Sequence, residues 1–556
     1  MSNQKESKGN KAVESRTSWL PLIVVVLTQI QASFNVNALT VSMAGLTSDL
    51  NIPATSIGTA ITTGTFSMAA FILLGAKIGA KYGTKRVFQI ALFIHALSMA
   101  LVAFAVNGPM LFIGQALGGA VISLIAPALT VLIAANYKGK QQAEAIGFLA
   151  AAIPAAGVLA LLIAGNFANT IGWRYSFVLV VVLGLINLFL STRLKKIDPQ
   201  SYLDIDWKGA VLSSSAIILL SFGFSFMNSW GFLLAKPDAP FSILGISPAA
   251  ILLVISGVLI EAFFSHLRKQ KEKGKSQLFD LRVLATSEEK ATTVAMATML
   301  FIGTAANFLI PLYMQVVQGL TSLQTSFSII PYTLSIFIAN TLVVKLYDRF
   351  SPSRIAQGGF VGVATALSLI AFTVRNDWGQ LPIVVGLILL GLSQGAIVAL
   401  VFNTLLTKAP KEIAGDVGAW RGLVHNISGS VGISVISAVA VTLLGSMILG
   451  SIAASAIITP DITDQLNFDN VDFFTNAQVE DLLIERTEAS SEQIDKAVEI
   501  NSQARLRSLQ ISLLILALMA LLAVIPAGRM PKFQDYDLPV GYPKEAQAET
   551  QSPSET

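Results

Sequence analysis

A helix rising 1.5 Å per residue needs about 20 apolar residues to cross the ~30 Å hydrocarbon core of a bilayer. This chain of 556 residues offers such a run fourteen times. The runs lie at 19–44, 55–78, 87–106, 109–136, 145–167, 175–192, 209–230, 245–265, 291–315, 325–346, 355–374, 381–406, 417–446 and 508–526. The expected fold is an all-α membrane protein with fourteen transmembrane helices, since a helix satisfies its own backbone groups in lipid. Charged residues make up only 13% of the chain, so something is carried through the bundle or sensed within it.

Several classes of chemistry fall away at once. With no cysteine, disulfides, thiolate metal sites and cysteine nucleophiles are excluded together. His95, His266 and His425 show no metal-ligand spacing, and no cofactor motif is present. No G-x-x-x-x-G-K-S/T loop occurs, which argues against ATP hydrolysis by this chain. No paired intramembrane carboxylates or Ser/His/Asp set appear, so an enzyme is not expected. The first apolar run is long and contains Pro21, without a short h-region and cleavage site, so the first helix is expected to be retained. The basic run Arg268 to Lys275 reads as a solvated linker near anionic lipid and not as a nucleic-acid site.

Orientation follows from the basic residues. With the N-terminus inside, the cytoplasmic tails and loops hold 29 of the 37 lysines and arginines. The opposite side holds seven: Arg174, Lys236, Arg375, Arg486, Lys496, Arg505 and Arg507. Both termini are therefore expected to be cytoplasmic, in a cell membrane. Residues 447–506, with eleven acids from Asp461 to Glu499, are placed outside. Within them, Asn476 to Asn501 looks amphipathic and helical.

A repeat is visible in the loops. Lys77-Ile78-Gly79-Ala80-Lys81-Tyr82-Gly83-Thr84-Lys85-Arg86 follows the second span, and Lys345-Leu346-Tyr347-Asp348-Arg349-Phe350-Ser351-Pro352-Ser353-Arg354 follows the tenth. Both resemble the paired G-x-L-x-D-R-x-G-R-K loops of the major facilitator superfamily. The run Leu312 to Gln324 followed by Ile330-Pro331, and Ile171-Gly172-Trp173-Arg174-Tyr175-Ser176-Phe177, resemble its fourteen-helix drug:proton antiporter subgroup. The resemblance implies two pseudo-symmetric six-helix bundles with two helices inserted between them, a substrate site near the midplane, and gate loops at Gly83, Lys85, Arg86, Asp348 and Arg349. The organisation then reads as a cytoplasmic tail (1–18), an N-terminal bundle (19–200) and two inserted helices with the basic linker (201–280). C-terminal bundle helices (281–446), the acidic loop (447–506), a last span (507–527) and a cytoplasmic tail (528–556) follow.

The departures from that pattern matter. Asn35 stands where similar proteins place an aspartate, and Gln115 stands where they place an arginine. The fifth-helix proline of the antiporter motif is absent, and Ala80 replaces the aspartate of the first loop. Gln31 and Asn35 share a face of the first helix. Together with Gln115 they either bond neighbouring helices or line a cavity. Arg421 and His425, at i and i+4, share a face of the thirteenth span. Arg421 is either a snorkelling end-of-helix arginine or, with His425, a donor site for an anionic group. His425 would also be the best remaining proton carrier. Asn307, Gln315 and Tyr332 are candidates for a polar lining from the second half.

The function that the resemblance implies is secondary active transport of small organic compounds by alternating access, with efflux of drug-like or amphipathic solutes foremost. The partners are a small-molecule substrate, the lipid bilayer and, if transport is coupled, protons. A uniporter or symporter of an anionic or polar metabolite also suits the missing carboxylates. A non-transporting membrane sensor or assembly partner is the alternative of a different class.

Overall fold

The computed structural model describes residues 18–137, 139–199, 204–237, 239–346, 349–375, 381–408, 414–455, 457–458 and 473–531. It is all-helical apart from two isolated bridges near residues 234–246. Among the described residues thirteen helices are long and apolar enough to cross a membrane. The fifth expected run falls on the helix Gly139–Thr170, in which Ala155–Thr170 forms a shorter apolar helix. The fourteen expected runs thus meet the length and composition of a crossing at thirteen positions.

In chain order the helices are α1 Leu20–Val41, α2 Met43–Leu50, α3 Thr55–Tyr82, α4 Thr84–Ala103, α5 Gly108–Asn136, α6 Gly139–Thr170 and α7 Arg174–Ser191. Then come α8 Trp207–Ser225, α9 Met227–Trp230, α10 Pro248–Glu272, α11 Ser287–Leu312, α12 Ser322–Leu342 and α13 Pro352–Thr373. The last four are α14 Leu381–Lys408, α15 Ala414–Ala453, α16 Asn476–Arg486 and α17 Ser491–Ala527. Successive long helices reverse direction. One end of the bundle therefore carries Asp49 and the other carries Gly83, and these residues name the ends below.

Packing sorts the helices into two sets. α3 and α4 pack on α5, α4 packs on α7, and α1 packs on α6 and α7. Later in the chain α13 packs on α14 and α17, α12 on α14, and α11 on α15 and α17. The sets meet chiefly where α15 lies on α3 and α12 on α6. The pair α8 and α10 packs on itself and on α3, pinned by Ser214 Oγ to the Ala70 carbonyl (2.7 Å) and Ser256 Oγ to the Ala216 carbonyl (2.8 Å). Large apolar side chains such as Phe93, Leu97, Phe189, Val211 and Leu521 face outward, as lipid-facing surface requires.

The crossing of α3 and α5 is the tightest contact. A Cβ built on Gly119 would stand 1.8 Å from the Gly64 carbonyl oxygen, so two backbones touch there without an intervening side chain.

Two boundaries differ from the sequence expectation. The stretch Asn476 to Asn501 is not one helix. α16 ends at Arg486, and a new capping box at Ser490 and Gln493 starts α17, which runs unbroken into the last span. The 37 residues of α17 would reach about 55 Å, well beyond the hydrocarbon, so its first turns project past the membrane. α1 is also broken: Ser42 closes α1 and opens α2 with no proline or glycine at the break.

Candidate transport pathway

On α1 the polar stripe expected from the sequence is buried. The amides of Asn35 and Gln115 bond each other reciprocally, Asn35 Nδ2 to Gln115 Oε1 at 2.8 Å and Gln115 Nε2 to Asn35 Oδ1 at 3.1 Å. One turn earlier, Gln31 Nε2 stands 2.7 Å from His95 Nδ1, and Gln31 Oε1 accepts from Asn187 Nδ2 at 3.3 Å. Gln31, Asn35 and Gln115 thus join α1 to α4, α5 and α7 in this structure. A neutral amide pair suits such a seam, because each group satisfies both donor and acceptor of the other.

In the second half, Asn307, Ile310 and Pro311 of α11, Ile329 and Tyr332 of α12, and Leu387 of α14 line a small recess, with room for about one water molecule. Tyr332 donates its hydroxyl to Gln394 Oε1 at 2.7 Å. Two of the expected site residues, Asn307 and Tyr332, therefore meet at one place, with Gln394 behind them.

Arg421 and His425 lie on α15, which packs against α3, α11 and α17. Both sit deep in the volume of the protein. Yet His425 is exposed and Arg421 is half-buried. Depth combined with accessible surface is what the wall of an internal cavity gives, and a charged group has little reason to face lipid at this depth. Trp420 anchors the turn beside them by stacking on Phe279 (centroids 5.1 Å apart) and donating to Thr293 Oγ1 at 3.3 Å. Further along α15, Ser430 hydrogen-bonds Thr65 of α3 across the two helix sets.

Gln315 is not in that recess. It occupies the π turn Tyr313–Val317 that follows α11, and its side chain reaches α1. Its Nε2 donates to the Thr40 carbonyl at 3.0 Å, and its Oε1 accepts from the Ala44 amide at 3.1 Å. Thr40 and Ala44 are the i, i+4 partners that an unbroken helix would have bonded to each other. The glutamine amide takes the place of that missing bond and fastens the two helix sets at the Asp49 end.

The same end holds a group the sequence reading passed over. Arg505 of α17 is 1% exposed. It donates to the carbonyls of Val316 (3.1 Å) and Phe474 (2.5 Å) and to Asn476 Oδ1. It thereby ties the start of α16 to the π turn that carries Gln315. In sequence it is one of the seven basic residues placed on the side opposite the cytoplasmic tails, and no pattern marks its burial. Asp49 pairs with Arg174 and accepts from Trp173 Nε1 at 3.0 Å, which gives the Gly172-Trp173-Arg174 motif a structural task.

At the Gly83 end, Gly83 (φ 95°) separates α3 from α4. Lys85 Nζ donates to the carbonyls of Thr192 (2.8 Å) and Leu194 (2.6 Å). These lie just past the C-terminus of α7, where a cation is favoured. Arg86 and Arg349 are exposed. Asp348 lies outside the described residues. His266 and Asp206 form a further pair there, 2.9 Å apart, holding α10 against the cap of α8. Among the described residues no group of His, Cys, Asp and Glu is arranged to hold a metal ion.

A sequence profile described as Major Facilitator Superfamily matches residues 25–433. Similar proteins include the probable actinorhodin transporter of Streptomyces coelicolor, 24% identical over 78% of this chain and 74% of that protein. The methylenomycin A resistance protein of Bacillus subtilis is 22% identical over 76% of this chain and 87% of its own length. A multidrug resistance protein B homolog of Mycobacterium tuberculosis is 24% identical over 74% of both. Among solved structures, a bacterial homolog of the lysosomal transporter Spinster in an inward-facing, occupied conformation superposes with a TM-score of 0.57 at 15% identity, covering 90% of this chain and 96% of that one. A peptide transporter bound to alafosfalin gives 0.58 at 13% identity over 93% and 96%. These likenesses carry the fold. The profile covers most of the chain, and the helix packing agrees with it. The chain is a multi-pass membrane protein that belongs to the major facilitator superfamily, and so a secondary transporter of the alternating-access type.

Proposed function

We propose that this transporter exports small, amphipathic organic compounds and recognises them on the α15 face formed by Arg421 and His425. The observation that carries the reading is the exposure of His425 deep inside the protein beside a guanidinium. The names of several relatives, which concern antibiotic export or resistance, favour export as the direction. In this reading the fold has fourteen spans, with α6 as the fifth, in two six-helix bundles with α8 and α10 inserted. The Gly83 end is cytoplasmic, as the distribution of basic residues supports.

The topology has a direct test, because the chain lacks cysteine. Single Ser276→Cys and Ser455→Cys variants should react with an impermeant maleimide from opposite sides of the membrane. Labelling of both from one side would refute the assigned orientation.

The recognition site is tested in proteoliposomes loaded with matched anionic, neutral and cationic fluorescent compounds. Removing one charge-assisted hydrogen bond costs about 1.5–3 kcal/mol. Arg421→Ala should therefore weaken transport of anionic compounds at least about ten-fold and affect neutral ones much less. Equal losses across the panel would remove Arg421 from recognition. A uniporter or symporter of an anionic metabolite is the second reading, favoured by the same pair. Downhill movement of an anion without exchange would decide for it.

A further inference from the structure

Away from their ends, the N-terminal helices contain one titratable group, whose ring so far serves only to join α1 to α4. His95, on α4, is 1% exposed. Its Nδ1 faces Gln31 Nε2 at 2.7 Å, and its Nε2 is buried without a partner. In the same cluster Asn187 Nδ2 reaches Gln31 Oε1 at 3.3 Å, while Asn187 Oδ1 is also buried and unpartnered. The cluster is built into the packing. A Cβ on Gly184 of α7 would meet Gln31 Nε2 at 2.9 Å, so the small residue there leaves room for the glutamine amide.

No charged group faces the ring. α4 packs on α3, α5 and α7, and Gln31 brings in α1. α1 and α5 contain no Asp, Glu, Lys, Arg or His, and α7 has only Arg174 at its first position, more than three turns from Asn187. On α3 the charged residues are Lys77 and Lys81, and on α4 they are Lys85 and Arg86, all near the Gly83 end.

The hydrogen bonds run in one direction, from Asn187 to Gln31 to the lone pair of His95 Nδ1. That places the ring hydrogen on Nε2. A proton added at Nδ1 would meet the Gln31 N–H groups, unless the amide turns over and offers Oε1. Turned over, Gln31 would point its N–H groups at Asn187, whose unpartnered Oδ1 becomes the acceptor once that amide turns as well. Every atom needed for the reversed chain is already present, and Asn187 Oδ1, unpartnered as the chain stands, gains a donor when it reverses.

We propose that His95 is an intramembrane proton-binding site, with Gln31 and Asn187 as positioning residues whose hydrogen bonds reverse direction when the proton arrives. The proton comes from water, forms the Nδ1–H bond and leaves from the same nitrogen, and no other covalent bond changes. Gln31 lies one turn from Asn35 on α1, the helix whose far end Gln315 clasps. Protonation thus acts on a helix that bonds both helix sets. The site is separate from the Arg421–His425 face, so proton and substrate would bind in different halves. Its coupling to flux rests on the transport reading above, whereas the site itself does not.

With three histidines in the chain, histidine-specific nitrogen-15 labelling resolves the question directly. The His266→Gln/His425→Asn protein, labelled also at glutamine and asparagine side chains, isolates the His95 ring. Near neutral pH it should show the neutral tautomer protonated on Nε2. Lowering the pH from about 8 to about 4 should protonate Nδ1. The Gln31 and Asn187 amide signals should shift with the same midpoint, and Gln31→Leu should abolish the Asn187 shift. A neutral ring protonated on Nδ1, a ring that stays neutral throughout in folded protein, or amides that do not follow it would overturn the site. In proteoliposomes a pH gradient should drive uphill transport by the unmodified protein, and His95→Asn should lose that drive at least ten-fold. Retention of the drive in His95→Asn, or transport by the unmodified protein that ignores the gradient, overturns the coupling while leaving export intact. Absence of any transport overturns the export reading, and the spectra still judge the site.

Discussion

Gly119→Val should leave almost no folded protein in the membrane. The Cβ of any larger residue would fall 1.8 Å from the Gly64 carbonyl oxygen, 2.6 Å from its carbon and 2.9 Å from its Cα. All three are backbone atoms of α3, so no rotamer change relieves the clash. The helices cannot simply part, because Gly75 meets the Ser123 carbonyl in the same way further along the crossing, at 2.3 Å. Overpacking a well-packed interior costs about 1–3 kcal/mol where side chains can adjust, and more where they cannot. Set against a total stability of roughly 5–15 kcal/mol, that is a large fraction. Gly119→Ala should lower the melting midpoint of purified protein, and Gly119→Val should abolish the monodisperse peak. Gly79, on α3, is the control: nothing lies within 4 Å of its Cβ position. Gly79→Ala should melt like the unmodified protein, and equal damage at the two positions would show that the α3–α5 contact is not what limits stability.

Gly118 and Gly119 in an apolar run are consistent with a close helix approach, but nothing in the sequence names α3 as the partner. The span positions were legible, since hydrocarbon imposes length and composition together. Side-chain direction was not. Arg421 and His425 could be placed on one face of α15 from their spacing, but whether that face met lipid, packing or a cavity depended on the neighbours. Gln315 and Arg505 were further from reach. Gln315 acts at a break in α1 that has neither proline nor glycine to announce it, and the π turn that aims it has no sequence signature. Arg505 is buried between the π turn at Val316 and the segment from Phe474 to Asn476 that leads into α16. The start of α17 was written more plainly, in the Ser490–Gln493 capping box, and a hydropathy reading passed over it. His95 was noticed as an isolated histidine, while its partners Gln31 and Asn187 come from helices 64 and 92 residues away.

Gln315→Leu should release the Asp49 end of the bundle. The unbroken α-helix would have paired Thr40 and Ala44; the break at Ser42 leaves a buried acceptor and a part-buried donor, and the Gln315 amide serves both, at 3.0 and 3.1 Å. Leucine fills similar space and serves neither. Each lost bond is worth about 1 kcal/mol net, so the closed arrangement should lose about 2 kcal/mol, roughly thirty-fold in population. Either α1 straightens and forms its own bond, or both groups turn to water, and each outcome pulls α1 away from the π turn. The cysteine-free chain makes this measurable. Asn37→Cys places a thiol on α1 near Gly157 of α6, and impermeant maleimide from the Asp49 side should label it about ten-fold faster when Gln315→Leu is present. Transport should fall in parallel, because a carrier biased to one side completes fewer cycles. Gln315→Glu separates the two bonds. The carboxylate still accepts from Ala44 but sets an oxygen against the Thr40 carbonyl, whereas the protonated acid donates to it. Relative to the Asn37→Cys protein unchanged at position 315, which corrects for the thiolate fraction, labelling in that variant should therefore slow as the pH falls, and the same ratio for Gln315→Leu should stay constant. If both variants label at the unmodified rate at every pH, the glutamine does not hold the two halves together.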